Sequence, residues 1–300
     1  MHGATTRGLY RRRSPNLVRW LLPLGLDWTC IVLTFVLAGT IDYWAVYVLA
    51  IFVIGTRQHA LAIMGHDGAH RLACRPRWLN DLVTVLFCFW PLGLGISAYR
   101  KHHFTHHRHP GTYIDPELAY KRSRAPQWDL PSPRRRPFLY FMKDIVGLGL
   151  ADLVYVMLVV PPVRVMDLLG PLLWWTVALA VIISTGGVWI LAVWFLALVT
   201  SFWAMFRLRI WTEHLGTGDV HRISAHWWQR LLFLPHNTWC HFEHHRWPTV
   251  PCWNLPAARA LDQSTRIWRL AELLDAYRSS KSIASGEPLV ELPTDAIRCG

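Results

Sequence analysis

From Leu168 to Phe206 the chain runs for nearly forty residues without one ionisable side chain. A membrane-spanning helix needs about 20 predominantly apolar residues, so this run is long enough for two crossings. Ser184, Thr185, Gly186 and Gly187 lie at its middle and supply a turn. The pattern predicts a helical hairpin that returns the chain, at Arg207 and Arg209, to the side it left.

A second hairpin is written near the N-terminus. Trp20 to Thr40 qualifies as a span with Asp27 as its one charge, and Trp44 to Met64 qualifies again. Ile41 to Tyr43, between them, has no Lys or Arg, whereas the far flanks are strongly basic, so the positive-inside rule puts the N-terminus in the cytoplasm. The hydrophobic fraction of 53%, the 18 Trp and a positive mean hydropathy agree with a membrane protein. The net charge of +12 must then lie outside the bilayer and suits an anionic leaflet. No nucleic-acid-binding motif accompanies it, and no nucleic-acid partner is expected. Arg7, Arg11, Arg12, Arg13 and Arg19 precede an apolar run longer than the ~7–15 residues of a signal peptide, which predicts a retained signal anchor.

Between the hairpins, Leu82 to Ala98 is a short apolar run broken by Pro91, Gly93 and Gly95, and it predicts a re-entrant or interfacial segment. Arg100 to Arg136 is polar, basic and Pro-rich, a cytoplasmic elaboration. Phe138 to Val160 is apolar but carries Lys143, Asp144 and Asp152 and stops at Pro161 and Pro162, which predicts a helix lying in the interface. The predicted fold is an all-α integral membrane protein: two transmembrane hairpins, about four spanning helices, interfacial helices, and a cytoplasmic helical cap. Residues 1–19 are expected to form a basic cytoplasmic tail, 20–278 the membrane domain, and 279–300, which lack periodicity, a mobile end.

The stretch Tyr99 to Pro110, YRKHHFTHHRHP, holds His102, His103, His106, His107 and His109. On a helix His103 and His107 sit one turn apart with His106 beside them, so imidazoles converge from one face. His66 and His70 repeat the i, i+4 spacing, and His241, His244 and His245 repeat i, i+3, i+4. A lone pair at this spacing is ordinarily chance or a satisfied core feature; three clusters point to metal, and neutral imidazole suits iron, zinc and copper. Asn237, four residues before His241, would share a helical face with it. The six cysteines are scattered without a C-x-x-C pair, which excludes a disulfide framework or zinc ribbon, and Cys240 reads as a small buried hydrophobe. His59 reads as a buried polar residue with a partner.

After the second hairpin come RIWTEH, with Arg209, Glu213 and His214, and PHNTWCHFEHHRWPTVPCWNLPAARAL. With these the chain resembles the membrane fatty acid desaturase and hydroxylase superfamily, whose members carry H-x-x-x-H, H-x-x-H-H and H-x-x-H-H boxes in this order. The resemblance extends to the R-x-x-x-E-H element, the Asn before the last box and the trailing H-H-x-x-P-x-V-P-x-x-x-L-P segment. It runs from about His66 to Leu261. It implies metal ligands at His66 and His70, at His103, His106 and His107, and at His214, His241, His244 and His245. Nine imidazoles exceed what one ion can hold, so two metals are implied. The family's metals are two non-haem irons, with O2 as co-substrate. Zinc, lacking a redox step, could not activate oxygen.

Asp67, Asp115, Glu213 and Glu243 stand near the boxes as candidates to orient ligand imidazoles, and Asn237 to reach a metal directly or through water. His102, His109, His221, His226 and His236 fall outside the family pattern and read as supporting or structural. No flavin or nicotinamide fingerprint appears and no cytochrome domain fits the short tails, so electrons are expected from a separate carrier such as ferredoxin. The three-residue spacing of the first box is similar to acyl-lipid desaturases and carotenoid-modifying oxygenases. HHFTHHRHPGTYIDPEL and PCWNLP resemble carotenoid ketolases, whereas GHDGAHRLACRPRWLND resembles the acyl-lipid branch, and Arg246-Trp247 replaces the usual aliphatic-aromatic pair. Desaturation of a fatty acyl lipid is the leading expectation. Hydroxylation or ketolation of a lipid, carotenoid or other apolar substrate is the alternative. A His-rich metal transporter would put ionisable residues near the bilayer midplane, and only Asp27, Arg57 and His59 interrupt the predicted spans.

Overall fold

The computed structural model describes residues 14–124, 128, 133, 135–214, 220–262 and 265–278. The basic residues Arg7, Arg11, Arg12, Arg13 and Arg134, Cys299 and the expected mobile end at 279–300 lie outside the described residues.

The two hairpins form where the apolar runs predict them. Helices α1 (Leu17–Ile41) and α2 (Trp44–Ala69) make the first. Helix α1 is capped by Asn16, whose side chain accepts from the Arg19 amide, and ends at Asp42 in the left-handed conformation. In the second, α8 (Met166–Ser184) turns at Thr185 to Gly187 into α9 (Trp189–Ala197). A π-helical turn, Leu198–Phe202, continues α9 into α10 (Trp203–Glu213). These four segments are long and apolar enough to cross a membrane. Leu22, Leu26, Leu33 and Leu37 on α1 and Leu168, Leu172 and Val177 on α8 lie bare, the outward face that lipid would cover.

The inner helices meet closely. A Cβ on Gly55 of α2 would stand 2.5 Å from Ser201 Cβ and 2.7 Å from the Phe202 amide nitrogen, so only glycine lets α2 reach the π-helical turn. The Ser201 hydroxyl closes the contact by donating to the Ile51 carbonyl at 3.1 Å.

Between the hairpins, α3 (Arg77–Thr84) runs on through Val85–Phe89 and Trp90–Leu92. It then bends by 91° into α4 (Ile96–Arg108), as the Pro and Gly residues of that run predict for a re-entrant segment. Helix α5 is Pro116–Ser123. The apolar stretch after Phe138 differs from the single interfacial helix expected: it breaks at Gly147, with φ +82°, into α6 (Arg135–Ile145) and α7 (Leu150–Leu158). Its carboxylates explain the break. Asp144 and Asp152 both turn inward to the buried Arg207 guanidinium, at 2.5 and 2.7 Å.

The C-terminal third is short helices, α11 (Trp227–Leu232), α12 (His241–Arg246), α13 (Leu255–Arg259) and α14 (Leu270–Ala276). A two-residue parallel pairing joins Ile223–Ser224 to Trp268–Arg269. Their core, with Trp128, Trp211, Leu234, Val250 and Tyr277, is separate from the hairpin core around Trp20, Ile54, Met64 and Phe89. The C-terminal end of α2, the C-terminal end of α10, α4 and α12 converge at the junction of the two.

Candidate metal centre

The first histidine box is delivered by a helix whose end is pinned. Helix α2 stops at His70, and the exposed carbonyls of its last turn are claimed from outside: Arg100 Nε donates to the Ala69 carbonyl at 2.8 Å and Asn80 Nδ2 to that of Gly68 at 2.8 Å. Arg100 also grips Asp81 through two bonds of 2.6 and 2.8 Å, which ties α4 to α3. Neither Arg100 nor Asn80 is marked by spacing in the sequence. What distinguishes Arg100 is only its place three residues before His103.

The imidazoles then meet in two sets. Ligand nitrogens of His66, His70, His103, His107 and His244 lie within 4.8 Å of one another, as do those of His106, His214 and His245. A third grouping at the same limit, Glu213, His214 and His241, shares His214 with the second and extends it. All nine histidines expected as ligands fall in these sets. The Nε2 separations are short: His70 to His103 2.9 Å, His103 to His107 2.9 Å, His107 to His244 3.1 Å, His214 to His241 2.8 Å and His241 to His245 3.2 Å.

Hydrogen bonding alone cannot satisfy this arrangement. A neutral imidazole nitrogen carries either one proton or one lone pair, yet His103 Nε2 and His107 Nε2 each face two other nitrogens. His66 Nε2 and His106 Nε2 are buried without a hydrogen-bond partner. Lone pairs directed at a shared cation resolve both problems. Nitrogens ~2.0–2.1 Å from one first-row ion have neighbours at roughly the spacing seen here. Burial and, after it, the neighbouring positive groups favour the neutral form that ligation needs: His70 is held down to about 3, and His214, His241, His244 and His245 lie well below the ordinary value. The residues present fit a metal-binding role.

The acidic and amide neighbours divide. Asp115 caps α5 by accepting from the Glu117 amide, and its Oδ1 stands 3.0 Å from His106 Nδ1. It thereby holds the proton on Nδ1 and turns the Nε2 lone pair toward the second set. Glu213 Oε2 is 3.5 Å from His241 Nε2, while its Oε1 accepts from Arg209 Nε at 2.7 Å. Asp67 and Glu243, expected to orient imidazoles, are engaged elsewhere. Asp67 Oδ1 accepts from the Cys252 amide at 3.1 Å, and Glu243 is paired with Arg222 at 2.6 Å and Arg259 at 3.8 Å, a buried cation having first claim on a buried carboxylate. Asn237 does not share a helical face with His241. It sits in the left-handed region, φ +60°, before a 3-10 turn (Thr238–Cys240), with its amide donating to the Cys252 carbonyl and accepting from Trp239.

The remaining histidines stay outside the sets. His59 is fully buried, its Nε2 3.3 Å from the Phe233 carbonyl; His226 caps α11; His221 lies 3.5 Å from the Tyr277 hydroxyl. His236 bonds to Asp27, His109 ends α4, and His102 lines the cavity described next. Cys240 is buried in the C-terminal core, as a small hydrophobe.

Against the second set lies a cavity of about 1210 Å³ of empty volume, open solvent at its mouth included. Phe202, Phe206, Leu153, Val156 and Met157 form apolar wall, and His103, His214, His241 and Glu213 form part of its lining.

The sequence pattern described as fatty acid desaturase matches residues 42–270 of the chain, a stretch that holds both imidazole sets and the cavity. The chain belongs to the fatty acid desaturase family. Among individual relatives, 118 residues, 39% of this chain, are 29% identical to an sn-1 acyl-lipid omega-3 desaturase (ferredoxin) of Nostoc sp. (strain 36), covering 33% of it. A stretch of 106 residues, 35% of the chain, is 33% identical to dihydrorhizobitoxine desaturase of Bradyrhizobium elkanii, covering 30% of it. The chain thus matches about a third of the length of these two bacterial desaturases. Over 240 residues, 69% of the chain, it is 26% identical to the sphingolipid delta(4)-desaturase/C4-monooxygenase of Homo sapiens, covering 62% of that protein.

Proposed function

We propose that this desaturase-family protein is an O2-dependent diiron oxidoreductase that oxidises a C–H bond of a hydrophobic substrate. Desaturation of a fatty acyl lipid is its leading reaction. The observation that carries the reading is the convergence of nine imidazoles into two adjoining sets at the wall of an apolar cavity. His66, His70, His103, His107 and His244 would hold one iron and His106, His214, His241 and His245 the other. When bound, such a pair supplies the electrons that activate oxygen toward an unactivated C–H bond.

The chain's own residues supply position and exclusion. Phe202, Phe206, Leu153, Val156 and Met157 take a hydrocarbon out of lipid and keep water from it. Asp115 fixes the ring of His106, and Glu213, grouped with His214 and His241, offers a carboxylate oxygen beside the second set. The basic flanks of the spans support a site on the cytoplasmic face, where a separate acidic carrier would meet complementary charge. The Nostoc relative's description as a ferredoxin enzyme supports such a donor. Hydroxylation is the second reading, since the human relative is described as both desaturase and monooxygenase.

Untargeted mass spectrometry of lipid extracts from cells expressing the chain tests this, with the His244→Ala variant as control. A product lighter by two hydrogens establishes desaturation and names the substrate. A gain of one oxygen establishes hydroxylation, and that gain with loss of two hydrogens, ketolation. Full turnover by His244→Ala or His106→Ala at normal protein level would overturn the ligand assignment.

A further inference from the structure

At its metal end the cavity carries a charge pair that a purely hydrocarbon ligand would not use. Glu117 and Lys121, one turn apart on α5, both line it, with His102 beside them. Lys121 is almost fully buried, its side chain 5% exposed and that of Glu117 25%. Lysine is rarely buried unless paired, and this pairing is loose. Lys121 Nζ stands 3.6 Å from Glu117 Oε2, beyond hydrogen-bond range. The protein's structural ion pairs at the same depth are tight: Arg209 to Glu213 2.7 Å and Arg222 to Glu243 2.6 Å. Among the described residues neither the Lys121 ammonium nor the Glu117 carboxylate has a side-chain hydrogen bond, so donors and acceptors both face the cavity.

Their position relative to the imidazoles is fixed. Glu117 Oε1 lies 4.0 Å from His106 Nε2, the nitrogen aimed at the second set. The apolar wall lies at the other end: from Glu213 back to Phe206 along α10 is roughly 10 Å of helix, and Phe202 continues it into the π-helical turn. The cavity is therefore polar beside the ligands and hydrocarbon-lined toward the spans. The opposite charges of Glu117 and Lys121 offset one another, so the pair offers one strong acceptor and one strong donor without a net field. A hydroxyl or amide, which both donates and accepts, fits between them; an isolated carboxylate or ammonium would meet repulsion from one side.

We infer that Glu117 and Lys121 bind a neutral hydrogen-bonding group of the substrate, a hydroxyl or amide a few bonds from the oxidised carbon. The hydrocarbon tail then runs outward along α7 and α10. The substrate is an amphiphile oxidised near its polar end, not in the middle of a long chain. The oxidised carbon is placed by the function proposed above; the binding preference is not, which lets the two be tested apart.

The test is equilibrium binding to the purified full-length protein in detergent, read by intrinsic tryptophan fluorescence. The probes are hexadecane, hexadecanol, hexadecanoate and hexadecylamine. Hydrogen bonds to charged partners predict that hexadecanol binds about tenfold or more tightly than hexadecane. They predict too that Glu117→Gln combined with Lys121→Met removes most of that preference. Equal affinity of wild type for alkane and alcohol would overturn the inference, whatever the variant does. So would tighter binding of the carboxylate or the amine than of the alcohol. Iron content and product analysis of the same preparation judge the oxidoreductase reading separately: protein without iron or oxidised product would end that reading and leave the measured preference standing.

Discussion

Asp27, inside the first span, stands 2.6 Å from Nε2 of His236, 209 residues further along the chain. Its other oxygen accepts from Arg57 Nη1 at 3.0 Å, and Arg57 Nη2 donates to the Leu231 carbonyl at 2.7 Å. One buried carboxylate therefore ties both helices of the first hairpin to the segment that leads into His241, His244 and His245. His236 and Asn237 both hold positive φ, +50° and +60°, so the chain turns sharply where it is clamped.

Replacing Asp27 by Ala leaves Arg57 charged, nearly buried and short of its carboxylate. Removing one partner of a buried ion pair costs about 3 kcal/mol or more. The thermal midpoint in detergent is expected to fall clearly and bound iron to decrease with it. An Asp27→Ala protein with the wild-type midpoint would show that the clamp is idle.

Asp115→Asn keeps a good N-cap for α5 and removes the negative charge behind His106. Loss of such a carboxylate partner lowers metal affinity by about 10–100-fold. Competition with a chelator is expected to strip iron from this variant at lower chelator concentration, with helical content by circular dichroism unchanged. Unchanged retention would mean that Asp115 serves only as a helix cap.

His226→Ala tests the other side of the assignment. His226 is exposed at the start of α11, away from both imidazole sets. The variant is expected to lose at most about 1 kcal/mol of stability through the cap and to retain full iron, measured by elemental analysis.

Gly55→Ala places a methyl where Ser201 Cβ and the Phe202 backbone already stand, at 2.5 and 2.7 Å. Overpacking of this kind costs about 1–3 kcal/mol. A depressed thermal midpoint is expected, and a wild-type midpoint would show that the two hairpins part without penalty.

Apolar run length and histidine spacing carried much of this structure openly. Both hairpins and the bend between Leu82 and Ala98 follow from local pattern, because a span needs only length and a bend only its Pro and Gly. Helical period marked the separate histidine clusters, while their joining into one centre, His214 included, was implied by the resemblance to the desaturase superfamily. The choice of partner did not follow. Nothing in the sequence says that Asp67 would serve the Cys252 amide, that Glu243 would yield to Arg222, or that Asp115 alone of the box-flanking acids would take a ring Nδ1. Those choices depend on which groups the tertiary fold brings within a few ångströms. The helical reading of Asn237 failed for a related reason: His236 and Asn237 take the left-handed conformation, which Asn and His tolerate better than most residues, at the point where His236 meets Asp27. Glu117 and Lys121 carry no mark in the sequence beyond their i, i+4 spacing, and only the fold shows that they line the cavity.

The central claim is that two ions sit in two distinguishable imidazole sets, and metal stoichiometry tests it most directly. Iron per chain should be measured in purified wild type, in the His70→Ala, His103→Ala double variant and in the His214→Ala, His241→Ala double variant. The account predicts about two irons in wild type and about one in each double variant, with different spectroscopic signatures for the iron that remains. A wild-type value of one, or a full complement in either double variant, would contradict it.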